Sequence, residues 1–228
     1  MLLATLMCGR FTLYFSAELL AAIFGLPELH ELIPRYNIAP TRVTAVVRSS
    51  GKARGLDLLR WGLVPSWAKD TSAGSRMINA RSESLHEKPT FRSAVKSRRC
   101  IVPASGFYEW KPDGSRKIPY YIRPADGGVL GFAAIWEAWK TPEGSFLETF
   151  AILTTSANPL IASIHDRMPV ILHPDAYDFW LDKAVSDPKQ LQPLYLPYPA
   201  DFLILHPVST LVNSPRNDHP ACIEPSPS

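Results

Sequence analysis

Proline is the residue type that most limits how this chain can fold. The sequence of 228 residues contains 22 prolines but only 12 glycines. Because proline lacks a backbone N–H and has a fixed φ, it interrupts helices and interior strands and is frequent in turns. The chain is therefore expected to form short elements joined by many turns and irregular connections, which suits a strand-rich fold.

Local patterns along the chain agree with that expectation. Ser16 is a typical N-cap for a helix that runs to about Phe24 and is ended by Gly25. Alternating apolar residues predict the two strands of a hairpin at 43–48 and 56–61. Further strands are predicted at 9–13, 100–103, 106–110, 118–122, 129–136, 150–154 and 202–205, and further short helices at 91–95, after 158 and at 174–181.

The composition indicates a single globular domain, with 46% hydrophobic and 20% charged residues. A net charge of +3 permits nucleic-acid binding without arguing for it. Three cysteines without a C-x-x-C pair provide neither a disulfide framework nor a zinc site, and they favour a reducing compartment. We predict a leader at 1–7, a domain at 8–212 and a disordered tail at 213–228, because the tail offers little to bury.

Cys8 follows Met7, so removal of the preceding residues would make Cys8 the first residue of the chain. A terminal cysteine carries two nucleophiles, an α-amine with a pKa of about 8 and a thiol with a pKa of about 8.5. The amine condenses with an aldehyde to an imine, and the sulfur then closes a thiazolidine ring that resists hydrolysis. A cysteine after an initiator methionine can equally be accidental, and this stretch alone leaves both interpretations open.

Two further stretches contain candidate site residues. Asn79, Arg81 and Glu83 alternate, so an extended chain would direct all three to one face. The same pattern is typical of a capping turn, which is the interpretation it favours. Glu109 lies between two aromatic residues of a predicted strand. If Glu109 faces inward, desolvation would raise its pKa and make it a proton acceptor; if outward, it is an ordinary surface residue.

His165 is followed by Asp166, so it is either an oriented acid–base group or the polar end of a short helix. Of the two tryptophans in the loop at 61–67, Trp61 is predicted to anchor the core and Trp67 to offer an exposed stacking surface. A basic cluster precedes the strand at 100–103 and is either solvated or a phosphate-tracking surface. The cluster consists of Lys96, Arg98 and Arg99, and Lys88 and Arg92 lie close to it in the sequence.

The sequence contains no repeat, no glycine-rich phosphate loop, no G-x-S-x-G motif and no metal-spaced histidine and acid cluster. We therefore expect neither a cofactor nor a metal.

Six short motifs, each weak alone, are highly specific together and in this order. They are Met7-Cys8-Gly9-Arg10-Phe11, Tyr36-Asn37-Ile38-Ala39-Pro40, Trp61-Gly62-Leu63-Val64-Pro65-Ser66-Trp67, Asn79-Ala80-Arg81-Ser82-Glu83, Gly106-Phe107-Tyr108-Glu109-Trp110 and His165-Asp166-Arg167-Met168-Pro169.

Through these motifs the sequence closely resembles the SOS-response-associated peptidase (SRAP) family of abasic-site-processing proteins, from Met7 to about Val208. The resemblance implies a single compact α+β domain, mainly β with curved or barrel-like sheets, short helices and a basic groove. It also implies a protein that senses abasic sites in single-stranded DNA and forms a covalent thiazolidine crosslink to them. A monomer without membrane or metal partners, acting in the cytoplasm near the nucleoid and replication, is the expected form.

The resemblance also implies roles for individual residues. Cys8 would supply the amine and thiol, and Asn79 would hold the α-amine or the sugar oxygen. Glu109 would move protons during imine formation, and His165 would protonate the sugar oxygen to open the ring. The residues expected to bind the DNA strand are Arg10, Trp67, Arg81 and Lys88.

The sequence departs from the family pattern at its start, because family members usually begin Met-Cys and here six residues precede Met7. Either translation begins at Met7, or the chain removes its own first seven residues, which is the peptidase activity that the family name records. N-terminal-nucleophile amidohydrolases also begin Met-Cys-Gly, but they need an Asn-Gly oxyanion hole that this sequence lacks. A non-covalent single-strand-binding module with an incidental Cys8 is the remaining alternative.

Overall fold

The computed structural model describes residues 8–27, 32–51 and 53–226, so the predicted leader at 1–7 lies outside the described residues. The strands of this part are β1 (Phe11–Leu13), β2 (Arg35–Ile38), β3 (Val43–Ser50), β4 (Ala53–Trp61), β5 (Asn79–Arg81), β6 (Arg99–Ala104), β7 (Gly106–Asp113), β8 (Arg116–Pro124), β9 (Leu130–Lys140), β10 (Phe146–Ser156), β11 (Arg167–Pro169), β12 (Ile171–Leu172) and β13 (Leu203–Pro207). The α-helices are α1 (Ala17–Phe24), α2 (Pro89–Ser97), α3 (Pro159–Ala162), α4 (Tyr177–Leu181) and α5 (Pro188–Leu191). Short 3₁₀ turns lie at Ser72–Arg76, Ser82–Ser84, Pro174–Ala176, Gln192–Tyr195, Ala200–Phe202, Thr210–Asn213 and Pro220–Cys222.

Five strands close into a barrel, because each of them pairs with two others in a ring. The ring runs β10-β4-β3-β6-β9 and returns to β10. The pairing of β4 with β10 is parallel, and the other pairings of the ring are antiparallel. Closure satisfies the backbone groups that would otherwise form sheet edges. The expected α+β fold, mainly β and barrel-like, is confirmed, whereas the basic groove stays a prediction.

A second sheet, in the order β13-β8-β7-β1-β2, lies against the barrel. β7 and β8 form a hairpin whose turn passes through Gly114 with φ of +57°, a conformation that suits glycine. β1 lies between β7 and β2 and pairs antiparallel with both. This arrangement brings the start of the described chain next to the middle of β7.

Buried aromatic rings join the barrel to the second sheet. The ring of Phe11 in β1 contacts Trp61 in β4 and Phe132 in β9, with centroids 5.1 and 6.1 Å apart, and Phe107 in β7 also contacts Phe132 at 5.8 Å. The indole of Trp61 donates a hydrogen bond of 2.9 Å to the carbonyl of Ile78. The prediction that Trp61 anchors the core is confirmed. Burial of such rings contributes strongly to stability.

The local helix signals agree with the structure. Helix α1 begins after Ser16, whose side chain accepts a hydrogen bond from the backbone N–H of Leu19, and it ends at Gly25 in the left-handed conformation. Asn158 caps α3 in the same way by accepting from the N–H of Ile161. These boundaries could be predicted because capping depends on residues adjacent in sequence.

The basic cluster before β6 does not form one solvated surface. Arg99 is buried, and its guanidinium donates to backbone carbonyls at the ends of two helices. Arg98 pairs with the buried Glu137 at 2.8 Å. A phosphate-tracking role is therefore wrong for Arg99, because its donors are used inside the fold. Lys88, Arg92 and Lys96 are exposed.

The prediction of a disordered tail from residue 213 is wrong for residues 213–226. Asp218 accepts hydrogen bonds from the backbone N–H groups of Tyr36 and Asn37 at 2.5 and 2.9 Å. Cys222 is buried, and Val208 forms a β-bridge with Pro225. Composition missed this order because polar hydrogen bonds to β2, rather than apolar burial, hold much of the segment. The folded domain therefore extends beyond the predicted boundary at 212.

Candidate active site

The backbone nitrogen of Cys8 donates a hydrogen bond of 2.8 Å to Oε1 of Glu109. Both residues are buried, with exposed fractions of 3% for Cys8 and 2% for Glu109. The pairing of β1 with β7 positions them, because Phe11 is opposite Phe107 and the N–H of Tyr108 donates to the carbonyl of Arg10. The inward orientation of Glu109, one of two alternatives left by the sequence, is the observed one.

Burial dominates the electrostatics of this pair. Desolvation raises the pKa of the Glu109 carboxyl above its usual range, while the charge of His165 and the hydrogen bonds from Cys8 oppose that rise. Desolvation also raises the pKa of the Cys8 thiol, and the neighbouring Glu109 adds to the rise. The positive charge of Arg167 acts in the opposite direction on the thiol. The sulfur is consequently held as a neutral thiol, and the carboxyl is held closer to neutrality than an exposed glutamate.

His165 follows helix α3 and precedes β11. Its Nδ1 lies 3.0 Å from the backbone nitrogen of Arg167, which donates to it, and 3.1 Å from Oδ1 of Asp166. Nδ1 also lies 3.3 Å from the carbonyl oxygen of Arg167, so its role as donor or acceptor depends on the ring tautomer. The side chain of His165 is largely enclosed, whereas that of Asp166 is exposed. The sequence had left an oriented acid–base group open, and this geometry is compatible with one.

Arg167 is a site residue that sequence reasoning did not select. Its guanidinium donates to both carboxylate oxygens of Glu83 and to the carbonyl of Thr154 at 2.7 Å. It thereby joins β11, β10 and the turn after β5, and its charge acts on the Cys8 thiol. A signal was available in the sequence, because Arg167 stands two residues after His165 within one motif and shares its face in extended chain.

Asn79 and Arg81 lie on the short strand β5, which pairs in parallel with β10. Ala80 between them is completely buried, so the two polar residues occupy the opposite face, with Asn79 partly buried and Arg81 exposed. β11 pairs with the same end of β10. The alternating pattern therefore forms a strand at 79–81, and the 3₁₀ turn that follows at Ser82–Ser84 begins without a side-chain cap.

The other predicted DNA-binding residues differ in exposure. Trp67 is 69% exposed in the loop between β4 and β5, as predicted, and Lys88 is exposed at the start of α2. Arg10 is partly buried, and its Nη1 donates to Oδ1 of Asn37 and to the carbonyl of Val212, both at 2.7 Å. Their DNA contacts remain predictions.

The described part of the chain contains neither a metal-binding cluster nor a membrane-spanning helix. Among residues 8–27, 32–51 and 53–226, no group of three or more histidine, cysteine, aspartate or glutamate residues is arranged to hold a metal ion. No helix within these same ranges has the length and apolar character that crossing a membrane requires.

Fold and site together define a barrel-containing, mainly β protein with a buried cysteine and glutamate and a largely enclosed histidine where its two sheets meet. The chain belongs to the SOS response associated peptidase (SRAP) family, whose sequence model matches residues 7–215.

The chain is 47% identical over 223 residues to the abasic site processing protein YoqW of Bacillus subtilis, covering 96% of this chain and 99% of that protein. It is 35% identical to the abasic site processing protein HMCES of Gallus gallus, over 84% of this chain and 66% of that protein. A crystal structure of a Bacteroides thetaiotaomicron protein superimposes with a TM-score of 0.87 at 28% identity, covering 96% of this chain and all of that one.

Proposed function

We propose that this protein captures abasic sites in single-stranded DNA covalently, through the α-amine and thiol of Cys8 after residues 1–7 have been removed. The observation that carries the proposal is the 2.8 Å hydrogen bond between the nitrogen of Cys8 and the carboxyl of Glu109, both of which are buried. A nitrogen needs a proton acceptor to attack an aldehyde, and a buried carboxyl with a raised pKa is suited to that role. The names of the relatives support abasic DNA as the substrate class.

The first chemical step forms an imine. The neutral amine of Cys8 adds to the aldehyde carbon of the ring-opened sugar, and the resulting carbinolamine loses its hydroxyl as water. Glu109 accepts a proton from the nitrogen and returns one to the departing hydroxyl, so the carboxyl is regenerated. His165 donates a proton to the ring oxygen of the closed sugar and so increases the supply of aldehyde, while Asn79 holds the amine or the sugar oxygen.

The second step closes the ring. The sulfur of Cys8 adds to the imine carbon, and the thiol proton passes to the imine nitrogen, which gives a neutral thiazolidine with no atoms lost. A thiol kept protonated by burial suits this order of events, because the amine attacks first and the sulfur second. The imine therefore has two possible fates at this site. Elimination from the sugar would give lyase-type strand cleavage, and attack by the sulfur would give the crosslink.

Release of the amine requires hydrolysis of the bond between residues 7 and 8. Water adds to the carbonyl carbon of residue 7, the C–N bond breaks, and the nitrogen of Cys8 takes a proton. Glu109 lies against that nitrogen and is suited to exchanging the proton. We propose this self-cleavage as the peptidase activity when translation begins at residue 1, whereas a start at Met7 needs only methionine removal.

We assign binding of the DNA strand to four cationic and aromatic residues outside the Cys8 and Glu109 pair. Arg81 and Arg10 contact phosphates, Trp67 offers an exposed ring for base stacking, and Lys88 adds a further positive charge. We propose a monomer that acts in the cytoplasm near the nucleoid and the replication machinery.

The test uses Cys8→Ala and Cys8→Ser proteins expressed from Met7, so that methionine removal exposes residue 8. Incubation with abasic single-stranded DNA and a denaturing gel should show a heat-stable adduct for wild type and none for Cys8→Ala. Cys8→Ser keeps the amine but lacks sulfur, so it should give an imine that borohydride traps and little stable product.

Cys100→Ala is the matched control, because Cys100 is equally buried but lies in β6 of the barrel, and its adduct should form normally. Intact mass confirms the terminus of each protein. A stable adduct from Cys8→Ser at the wild-type level would refute ring closure. Saturable binding of intact strands by a wild type that forms no adduct would instead indicate a non-covalent binding module.

A further inference from the structure

Asn37 in β2 is buried, with an exposed fraction of 1%. Both polar atoms of its side-chain amide nevertheless form hydrogen bonds. Its Nδ2 donates to backbone carbonyls of the segment after β13, and its own backbone N–H donates to Asp218 at 2.9 Å. The carbonyls belong to Val212 at 3.2 Å, Ser214 at 3.0 Å and Asn217 at 2.6 Å. A buried amide that makes this many bonds constrains its surroundings to one geometry.

The side-chain oxygen of Asn37 accepts a hydrogen bond from Arg10. Oδ1 of Asn37 accepts from Nη1 of Arg10 at 2.7 Å, and the same Nη1 donates to the carbonyl of Val212 at 2.7 Å. The ring of Trp110 lies on another side of the guanidinium, 5.8 Å from its central carbon, and the indole N–H donates to Asn213 at 2.8 Å. The Arg10 side chain is thus held by β2, β7 and the C-terminal segment together.

All the acceptors that hold Arg10 are neutral. Arg48 pairs with Asp57 and Glu148, and Arg167 pairs with Glu83, but in the described part of the chain no carboxylate lies within salt-bridge distance of Arg10. Burial also lowers the pKa of this guanidinium, since the cation is partly desolvated. A fixed cation without an internal counter-charge is arranged for an anion from outside the protein.

We propose that Asn37 is a positioning residue for DNA binding, which holds the Arg10 guanidinium in place for a strand phosphate by tying it to the C-terminal segment at 208–226. The inference rests on the proposed function, in which Arg10 contacts the strand. Arginine loses rotamer freedom when it binds a phosphate, and a side chain already fixed in the free protein loses less. Arg10 lies two residues after Cys8, so the phosphate it binds is one close to the captured sugar.

The competing explanation is that Asn37 only holds the C-terminal segment against β2. The two explanations differ in how the substitutions combine. A residue that acts through Arg10 has no effect on DNA binding once Arg10 is absent, whereas a purely structural residue weakens binding by the same factor in either background.

The experiment measures the affinity of Asn37→Ala, Arg10→Ala and the double variant for an intact oligonucleotide, which excludes crosslinking, over a range of salt concentrations. Arg10→Ala should reduce the magnitude of the slope of log K against log salt by about 0.7, the value for one phosphate contact on a single strand. Asn37→Ala should weaken binding by about three- to tenfold, and the double variant should match Arg10→Ala alone. Additive losses would overturn the proposal.

Substitution of a buried asparagine endangers folding, so a surface variant accompanies it. Asn213→Ala removes the exposed acceptor of the Trp110 indole N–H and leaves Asn37 intact. It should weaken binding of the intact strand by about two- to threefold, and only while Arg10 is present. Equal effects in both backgrounds, or no effect in either, would overturn the proposal.

Adduct formation with abasic DNA, measured on the same proteins, separates this inference from the proposed function. Wild type that binds intact strands but forms no adduct would refute the crosslink, while the Asn37 and Arg10 comparison would still be decided on intact strands. Wild type that binds no intact strand would overturn the inference directly.

Discussion

The interior of the barrel and the junction between the barrel and the second sheet are both buried, but different kinds of side chain fill them. All six residues of β6 are buried and, apart from Arg99 at its start, carry no charge. The junction instead encloses the ionisable side chain of Glu109, which accepts a hydrogen bond from the nitrogen of Cys8. The barrel therefore provides stability by apolar burial, whereas the junction holds a buried ionisable group in a fixed position, which costs stability.

Two cysteines illustrate the same contrast. Cys100 in β6 and Cys8 before β1 are both buried, and burial raises the pKa of both thiols. Cys8 is hydrogen-bonded to Glu109 and the charge of Arg167 acts on its thiol, whereas the charges that act on Cys100 are those of Arg48 and Asp57, which pair with each other. Burial alone therefore does not identify a reactive cysteine, because the neighbouring proton carriers make the difference.

The largest expected effect comes from Glu109→Gln, which keeps the size and the hydrogen-bond acceptor but removes the proton carrier. The rate of adduct formation at saturating abasic DNA should fall by about 10²- to 10⁴-fold, as is typical for loss of a general acid–base group. Single-turnover gels measure the rate. Affinity for intact strands should not change, because Glu109 is buried away from the phosphates.

Phe132→Ala in the barrel is the contrasting control. It should lower the free energy of unfolding by about 3–5 kcal/mol through loss of aromatic contacts, while leaving the rate of the folded fraction close to wild type. If Glu109→Gln lowers stability as much as Phe132→Ala while the adduct still forms at the normal rate, the division between a stabilising barrel and a reactive junction fails.

The next effect is a dependence of stability on pH in protein that retains residues 1–7, where the Cys8 nitrogen is an amide. Burial raises the pKa of Glu109 in the folded state above its unfolded value. Its contribution to stability is therefore fully present below the unfolded pKa of about 4.3 and declines as pH rises through the folded pKa. Urea unfolding of leader-bearing Cys8→Ala protein across this range should show the decline.

Glu109→Gln in that same background is the control, because it removes the titrating group and should flatten the decline. A difference between the two proteins that is constant with pH would show that the buried carboxyl titrates normally. A decline of opposite sign would show that its charged form is the one the fold stabilises.

The smallest effect concerns the exposed edge of the site. Arg81→Ala should reduce the magnitude of the salt slope for intact single strands by about 0.7 and leave the adduct rate at saturation unchanged. Arg92→Ala, an exposed arginine on helix α2, is the matched control and should not alter the slope. Equal slopes for both variants would remove Arg81 from the strand-binding surface.

Sequence alone determined the elements whose causes are local. The Ser16 cap, the Gly25 stop and the hairpin of β3 and β4 depend on neighbouring residues, and all three are observed. The ordered motifs likewise identified the family and the main candidates of the site, including Cys8 and Glu109. Motifs identify a family and its site residues by residue type and order along the chain, so no interatomic distances are needed.

Tertiary structure decided what depends on residues far apart in the chain. The inward orientation of Glu109 follows from the packing of two sheets, and its contact with Cys8 spans a separation of 101 residues. The C-terminal segment is held through Asn37, 175 residues before Val212, although its composition predicted disorder. Propensity and periodicity describe neighbours along the chain, so neither can show that a polar tail finds its hydrogen-bond partners in a distant strand.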